Sequence, residues 1–420
     1  MDTGSSERPM RFIDLGLSKD MTRILTRLEF TTPTPIQEQA IPIALRGDDV
    51  IGIAQTGTGK TLAFALPMLQ MLNISKKTGL VIVPTRELAH QVKEDIDRIG
   101  GHLGFKTVLL VGGANMERQI RSLQRGPHII IATPGRLNDH IDRRTVRLHT
   151  VGVLVLDEAD RMLDMGFAPQ IDQILKSVPK ERQTFLFSAT MPPAIAKIAR
   201  GYMRNPEHIE VSPAGTSAKN IEQGVYFVEP TNRFRLLQDL LEEYRSRPVL
   251  VFCRTKHGTK KMAHILNREK FPCEELHSNR SLNQRRLALE RFKSGKCKTL
   301  IATDVASRGI DVKEIALVVN YDLPDQLEDY VHRIGRTGRA GHTGRAVSFA
   351  ATDQFRDVKT IERLVGETIE ILEAPGTLSV SDIRKLTERS KPQSASRGGR
   401  RPTQGRRRRD HHKHSPRRSR

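Results

Sequence analysis

The stretch Ala54-Gln55-Thr56-Gly57-Thr58-Gly59-Lys60-Thr61 concentrates residue types that handle phosphate. It follows an apolar run and opens a helix-length one, the context in which glycines let backbone N–H groups close around phosphate oxygens. Lys60 then reaches the β and γ oxygens, and the Thr61 hydroxyl is a ligand for Mg²⁺. The first glycine of the general pattern is Ala54 here. Farther along, Val153-Leu154-Val155-Leu156 leads into Asp157-Glu158-Ala159-Asp160. That puts carboxylates at the C-terminal end of a buried strand, where open α/β sheets bind their ligands. Asp157 is suited to hold Mg²⁺, directly or through water, and Glu158 to orient and deprotonate an attacking water. Alone, the tetrad reads equally well as an acidic helix start that complements the helix dipole. A phosphate loop upstream in the same sheet favours the catalytic reading.

Positioning these residues requires a parallel sheet. From residue 49 onward short β-branched runs alternate with amphipathic helix-length stretches, the pattern of βαβ units. Strands are expected at 49–54, 80–84, 107–111, 128–133, 151–156 and 184–187, most of them apolar on both faces as buried parallel strands are. The alternation stops at the small, polar stretch 211–220, which has linker composition. It resumes with strands expected at 224–228, 249–253, 273–277, 299–302, 315–320 and 346–349, and helices at 233–244, 256–270 and 283–294. The reading is α/β, two parallel-sheet domains in tandem, the second without a phosphate loop. The bounds are 1–211, a linker at 212–221, and 222–372, followed by a tail at 373–420 with too few apolar residues to offset the entropy of ordering.

Composition narrows the classes. The 420 residues are 37% hydrophobic and 28% charged, without an apolar run of membrane-spanning length. The N-terminus lacks the apolar core of a secretory signal, and Cys253, Cys273 and Cys297 are too few and too scattered for a disulfide framework or zinc site. A cytoplasmic protein with ordinary reduced thiols is expected. A net charge of +21 points to a polyanionic partner, above all nucleic acid. Twelve Lys/Arg against Asp410 alone fall within 391–420, so about half of that charge sits in the tail. Such a tail can track phosphates without folding, or serve only solubility.

On these residues the chain resembles the DEAD-box ATP-dependent RNA helicases, from about Met10 to Ile371; its compact core is of the bacterial kind. The resemblance implies two RecA-like domains, ATP and Mg²⁺ as cofactors, and RNA as the partner. Asp157-Glu158-Ala159-Asp160 is the motif that names the family. Phe30-Thr-Thr-Pro33-Thr34-Pro35-Ile36-Gln37 is similar to its adenine-reading element, here 10–38, in which Gln37 contacts the base edge and Phe12 and Phe30 support it. Glu29 stands where the family has Gly, which bears on the local turn rather than on adenine.

The same resemblance assigns RNA backbone contacts to Pro84-Thr85-Arg86, Gly112-Gly113 and Thr133-Pro134-Gly135-Arg136, whose hydroxyl, guanidinium and backbone N–H donors suit that task. Arg254 and Thr303-Asp304 add RNA contacts, and Asp311 a nucleotide contact. Arg336 and Arg339, three apart, are implied to be arginine fingers on ATP held by the first domain. Asp160, Ser188, Thr190 and His332 couple hydrolysis to strand separation. Leu282 replaces the family's Gln, while Arg285 is kept. Two rivals remain at this level: a DNA helicase of the same superfamily, and an RNA clamp or annealing protein whose ATP site only controls grip.

Overall fold

The computed structural model describes residues 10–54, 57–211, 221–304, 315–327, 329–338, 343–379 and 381–382. Gln55, Thr56, Asp311, Arg339, the linker at 212–220 and the tail from 383 lie outside the described residues.

The first sheet contains β1 (Val50–Ile53), β2 (Thr78–Ile82), β3 (Thr107–Leu110), β4 (Ile129–Ala132), β5 (Val151–Leu156), β6 (Gln183–Ser188) and β7 (Glu207–Glu210), in the order β3-β4-β2-β5-β6-β1-β7. The second contains β8 (Ile221–Phe227), β9 (Val249–Phe252), β10 (Cys273–Leu276), β11 (Thr299–Ala302), β12 (Leu317–Asn320), β13 (Gly344–Ala350) and β14 (Glu370–Leu372), in the order β10-β11-β9-β12-β13-β8-β14. The second order is the first with seven added to each label, so one topology occurs twice. Every ladder is parallel.

Helices cover both faces of each sheet, which explains the uninterrupted apolar runs. In β2, Val81 joins one core with Phe64 and Phe187, while Leu80 and Ile82 join the opposite one with Leu154 and Leu186. In β9, Leu250 and Phe252 face one way and Val249 and Val251 the other. Each such side chain contributes roughly 1.5–3 kcal/mol on burial.

All twelve expected strands are present. The two unexpected ones, β7 and β14, are edge strands beside β1 and β8, and in Glu207-His208-Ile209-Glu210 only Ile209 is buried. An edge with one wet side needs no apolar run, so pattern reading passes over it. The second domain also extends beyond 372. Leu378 N donates to Phe227 O at 2.8 Å and Asn232 Nδ2 to Gly376 O at 3.2 Å. A tail starting at 373 is therefore too early. The reason is that backbone closure on β8 holds a segment whose side chains carry no strand or helix signal.

All three cysteines are free and buried in the second domain. Burial pushes each thiol up, that of Cys273 to about 12, so they are inert. Among the described residues no helix is long and apolar enough to cross a membrane.

Candidate active site and RNA interface

The ends of β5, β6 and β1 lie side by side, and Ala54 N donates to Ser188 O at 2.9 Å to bind the start of the phosphate loop to the end of β6. Gly59 precedes the helix Lys60–Ser75 with φ +91, and a Cβ there would collide with Gln37 Nε2. Only glycine fits. Gln37 is itself buried: its Nε2 donates to Gly59 O at 2.9 Å and its Oε1 accepts from Thr34 N at 2.9 Å. The second bond completes a capping box on the helix Pro35–Leu45. The adenine-reading element and the phosphate loop are thus physically joined. Phe12 is buried in the core beneath them, and Phe30 lies half-buried under the Arg98 guanidinium, 5.2 Å from its ring centre. Lys60 is buried and donates from Nζ to Ala54 O at 2.7 Å, while Gly57 is exposed and Thr58 and Thr61 half-buried.

Across the gap stand the carboxylates. Glu158 begins the helix Ala159–Asp164 in left-handed geometry (φ 52, ψ 50), a conformation costing roughly 1–2 kcal/mol outside glycine. Its neighbours hold it there: Glu158 N donates to Asp157 Oδ1 at 2.9 Å and Arg161 Nη1 donates to Glu158 Oε2 at 3.1 Å. Burial pushes the Glu158 carboxyl up, yet Arg161, Lys60 and Arg336 together bring it below its usual value, so it is an anion near neutrality. Asp157 behaves oppositely: burial lifts it to about 6 against the pull of Lys60, with Glu158 adding to the rise. Asp160 turns away, and its Oδ2 accepts from Ala189 N at 3.0 Å, Thr190 N at 2.9 Å and Thr190 Oγ1 at 2.9 Å. Ser188 Oγ accepts from Asp160 N at 3.2 Å.

The second domain meets this site through the helix Asp329–Ile334 and the turn after it. Arg161 lines the same small space as His332, Arg333 and Arg336. Arg336 is buried, with Nε donating to His332 O at 3.2 Å, and burial followed by the charges of Arg161 and Arg336 holds His332 well below the usual histidine range. Asp304 is here too, clasped by Arg333 through Nε at 2.5 Å and Nη2 at 2.7 Å. Its carboxylate is committed to a buried guanidinium on the nucleotide side, and a carboxylate would repel phosphate.

A cleft of about 450 Å³ on the other side is lined by Pro84, Thr85, Arg86, Gly112, Thr133, Gly135 and Arg136, with Ser278 and Arg285 contributed by the second domain. Thr85 caps the helix Arg86–Gly100 by accepting from Leu88 N at 3.2 Å, which leaves its hydroxyl proton for a ligand. Gly113 has φ +75 and lies against the Arg86 guanidinium, where a Cβ would clash. Pro134 opens its own helix, Pro134–Asp142. Arg254 and Thr303 stand outside this lining; Arg254 is exposed, with Nε 3.4 Å from Asp325 Oδ1, and Thr303 is buried at the end of β11.

Residues 34–198 match the DEAD/DEAH box helicase family and residues 232–341 the helicase conserved C-terminal domain. The ATP-dependent RNA helicase DbpA of Bacillus subtilis is 43% identical over 372 residues, 88% of this chain and 78% of that protein. The chain belongs to the DEAD-box RNA helicases. Among solved structures, Dbp5 of S. cerevisiae bound to RNA and ADP BeF3 aligns with a TM-score of 0.79 at 30% identity, covering 90% of this chain and 99% of that one. Mss116p bound to ssRNA and AMP-PNP aligns with a TM-score of 0.80 at 29% identity, covering 91% and 82%.

Within this DEAD-box site, sequence reasoning missed Arg161, Arg333 and the pair Glu87–Arg285. Each looks like a solvated charge on a helix, and only burial reveals otherwise. The one signal in the sequence was spacing: Arg161 follows Glu158 by three, one helical turn. Thr61 and Asp157 offer the hard oxygen donors that suit a divalent cation, and Asp157 is a buried carboxylate whose ionised form further positive charge would favour.

Proposed function

We propose that ATP binds between the phosphate loop and the arginines of the second domain, and that its hydrolysis governs closure of both domains on RNA. Backbone donors at Gly57, Thr58 and Gly59, extended by Gln55 and Thr56, cradle the phosphates beside Lys60. Gln37 reads adenine, which requires it to exchange or share its bond to Gly59 O. Bound through Thr61 and Asp157, Mg²⁺ would neutralise phosphate charge. Glu158 accepts the proton of the attacking water, and its left-handed backbone with the bond from Arg161 fixes the direction of attack. Arg336, joined by Arg339, stabilises charge on the transferred phosphoryl group, and Asp311 adds a nucleotide contact.

Asp160 carries the coupling. Its three bonds to Ala189 and Thr190 run directly from the hydrolytic motif to the end of β6, and His332 extends the contact to the second domain. RNA lies in the cleft lined by Arg86 and Arg136 and is released when the domains part; Arg254 and Thr303 extend its track. The two units run from 10 to 211 and from 221 to 378, and the basic tail from 391 tethers RNA. RNA as substrate and three unpaired thiols suit the cytoplasm. The observation carrying this reading is that Arg336, in one domain, lines the same small space as Arg161, which holds Glu158 in the other.

Glu158→Gln tests it: the variant should bind ATP and RNA but hydrolyse at least about a hundredfold more slowly, trapping a long-lived RNA complex. Release of RNA at the wild-type rate would refute the role given to Glu158 in opening the clamp.

A further inference from the structure

Arg136 is held from behind. Its Nη1 donates to Ala114 O at 3.0 Å and to Gln119 Oε1 at 3.3 Å, and its Nε lies 3.3 Å from Asp139 Oδ2. Among the described residues Nη2 makes no hydrogen bond, and Arg136 lines the cleft. Behind Gln119 lies His140, which is fully buried. Gln119 Nε2 donates to Val111 O at 3.0 Å, and since a carbonyl only accepts, the amide orientation is set. Gln119 Oε1 must therefore face both Arg136 and His140 Nε2, the latter at 3.0 Å. An oxygen opposite Nε2 requires that nitrogen to carry the ring proton. Nδ1 is then the acceptor, and Thr145 Oγ1, which lies 2.8 Å from Nδ1 and 3.2 Å from His140 O, directs its one hydrogen to the nearer atom. Burial, reinforced by the charge of Arg136, keeps His140 below its usual pKa, in keeping with a single-proton ring.

We propose that Gln119, His140 and Thr145 are positioning residues for RNA binding, forming a buried relay that fixes the Arg136 guanidinium and joins the Gly112–Gly113 loop to the Thr133–Arg136 turn. The proposal rests on the reading of Arg136 as an RNA contact. Its physical basis is that buried polar groups are costly unless hydrogen-bonded, and in this set the hydrogen bonds are made. A free arginine samples many rotamers, and ordering it on binding weakens affinity; a guanidinium ordered beforehand avoids that loss. The relay touches no ATP residue.

The experiment uses the full chain and RNA-stimulated ATP turnover over a range of single-stranded RNA concentrations. Gln119→Met removes all three hydrogen bonds of the amide at similar volume, and Thr145→Val removes only the hydroxyl. Both should raise the RNA concentration for half-maximal stimulation, by about three- to tenfold for Gln119→Met, with maximal turnover and KM for ATP unchanged. Arg136→Ala should raise it as well, and adding Gln119→Met to that variant should change nothing more. If Arg136→Ala raises half-saturation while Gln119→Met and Thr145→Val lower only Tm or maximal turnover, the relay is structural and the proposal fails although the RNA contact stands. If Arg136→Ala has no effect, the contact and the proposal fail together.

Discussion

Arg285 Nη1, in the second domain, lies 2.9 Å from Glu87 Oε1, in the first, with side chains 10% and 6% exposed. The pair lines the cleft proposed for RNA, so each charge loses water when the domains meet and would regain it if they part. Burial pushes the Glu87 carboxyl up, and Arg285 is the main charge opposing that rise. Removing either partner strands the other without solvent.

Glu87→Gln and Arg285→Gln should therefore each weaken formation of the closed RNA complex, by about tenfold in half-saturating RNA, corresponding to about 1.4 kcal/mol. The double variant should be no worse than the poorer single. Additive losses in this double-mutant cycle would mean the two side chains act independently.

Arg336→Ala should slow RNA-stimulated hydrolysis by at least about a thousandfold, while ATP affinity measured without RNA stays within a few-fold. A fragment ending at Val211 should be nearly inactive for the same reason. Vigorous RNA-stimulated turnover by that fragment would rule out a site shared between domains.

Glu29 adopts φ 63 on the surface within the adenine-reading element, directly before Phe30, a conformation that glycine takes without strain. Glu29→Gly should leave KM for ATP unchanged and raise Tm by about 1–2 °C, since relief of backbone strain outweighs the added freedom of the unfolded chain by roughly 0.5 kcal/mol. A lower Tm, followed by circular dichroism, would show that the Glu29 side chain contributes more than its backbone costs.

Deleting residues 391–420 should weaken RNA binding at low salt and flatten the dependence of log affinity on log salt, by about 0.7 for each phosphate that the tail neutralises. Maximal turnover should stay constant, because every residue assigned to ATP chemistry precedes the tail. An unchanged slope in fluorescence-anisotropy titrations would leave the tail without a role in RNA binding.

What could be read in the sequence follows from how each feature is encoded. The phosphate loop and the acidic tetrad need consecutive residue types on one strand, loop and helix, so Lys60, Thr61, Asp157 and Glu158 stand out as candidates from the sequence alone. The central strands do so because both faces are buried. Glu87 and Arg285 sit in different domains, and only the folded chain brings them together. Gln119 and His140 are polar residues on helices, ordinary on any surface, and only their burial against Arg136 gives them a task. The engagement of the Asp304 carboxylate with Arg333 is likewise a contact that only the folded chain shows.

The three buried, proton-retaining thiols leave the described surface without a reactive sulfur. Maleimide dyes should pass over the native chain. Single cysteines introduced at exposed positions such as Asn73 and Lys260, one on each domain, would then take up a fluorophore pair without removing any native cysteine. Opening and closing of the two halves could be followed as energy transfer, one molecule at a time, in an otherwise unaltered protein.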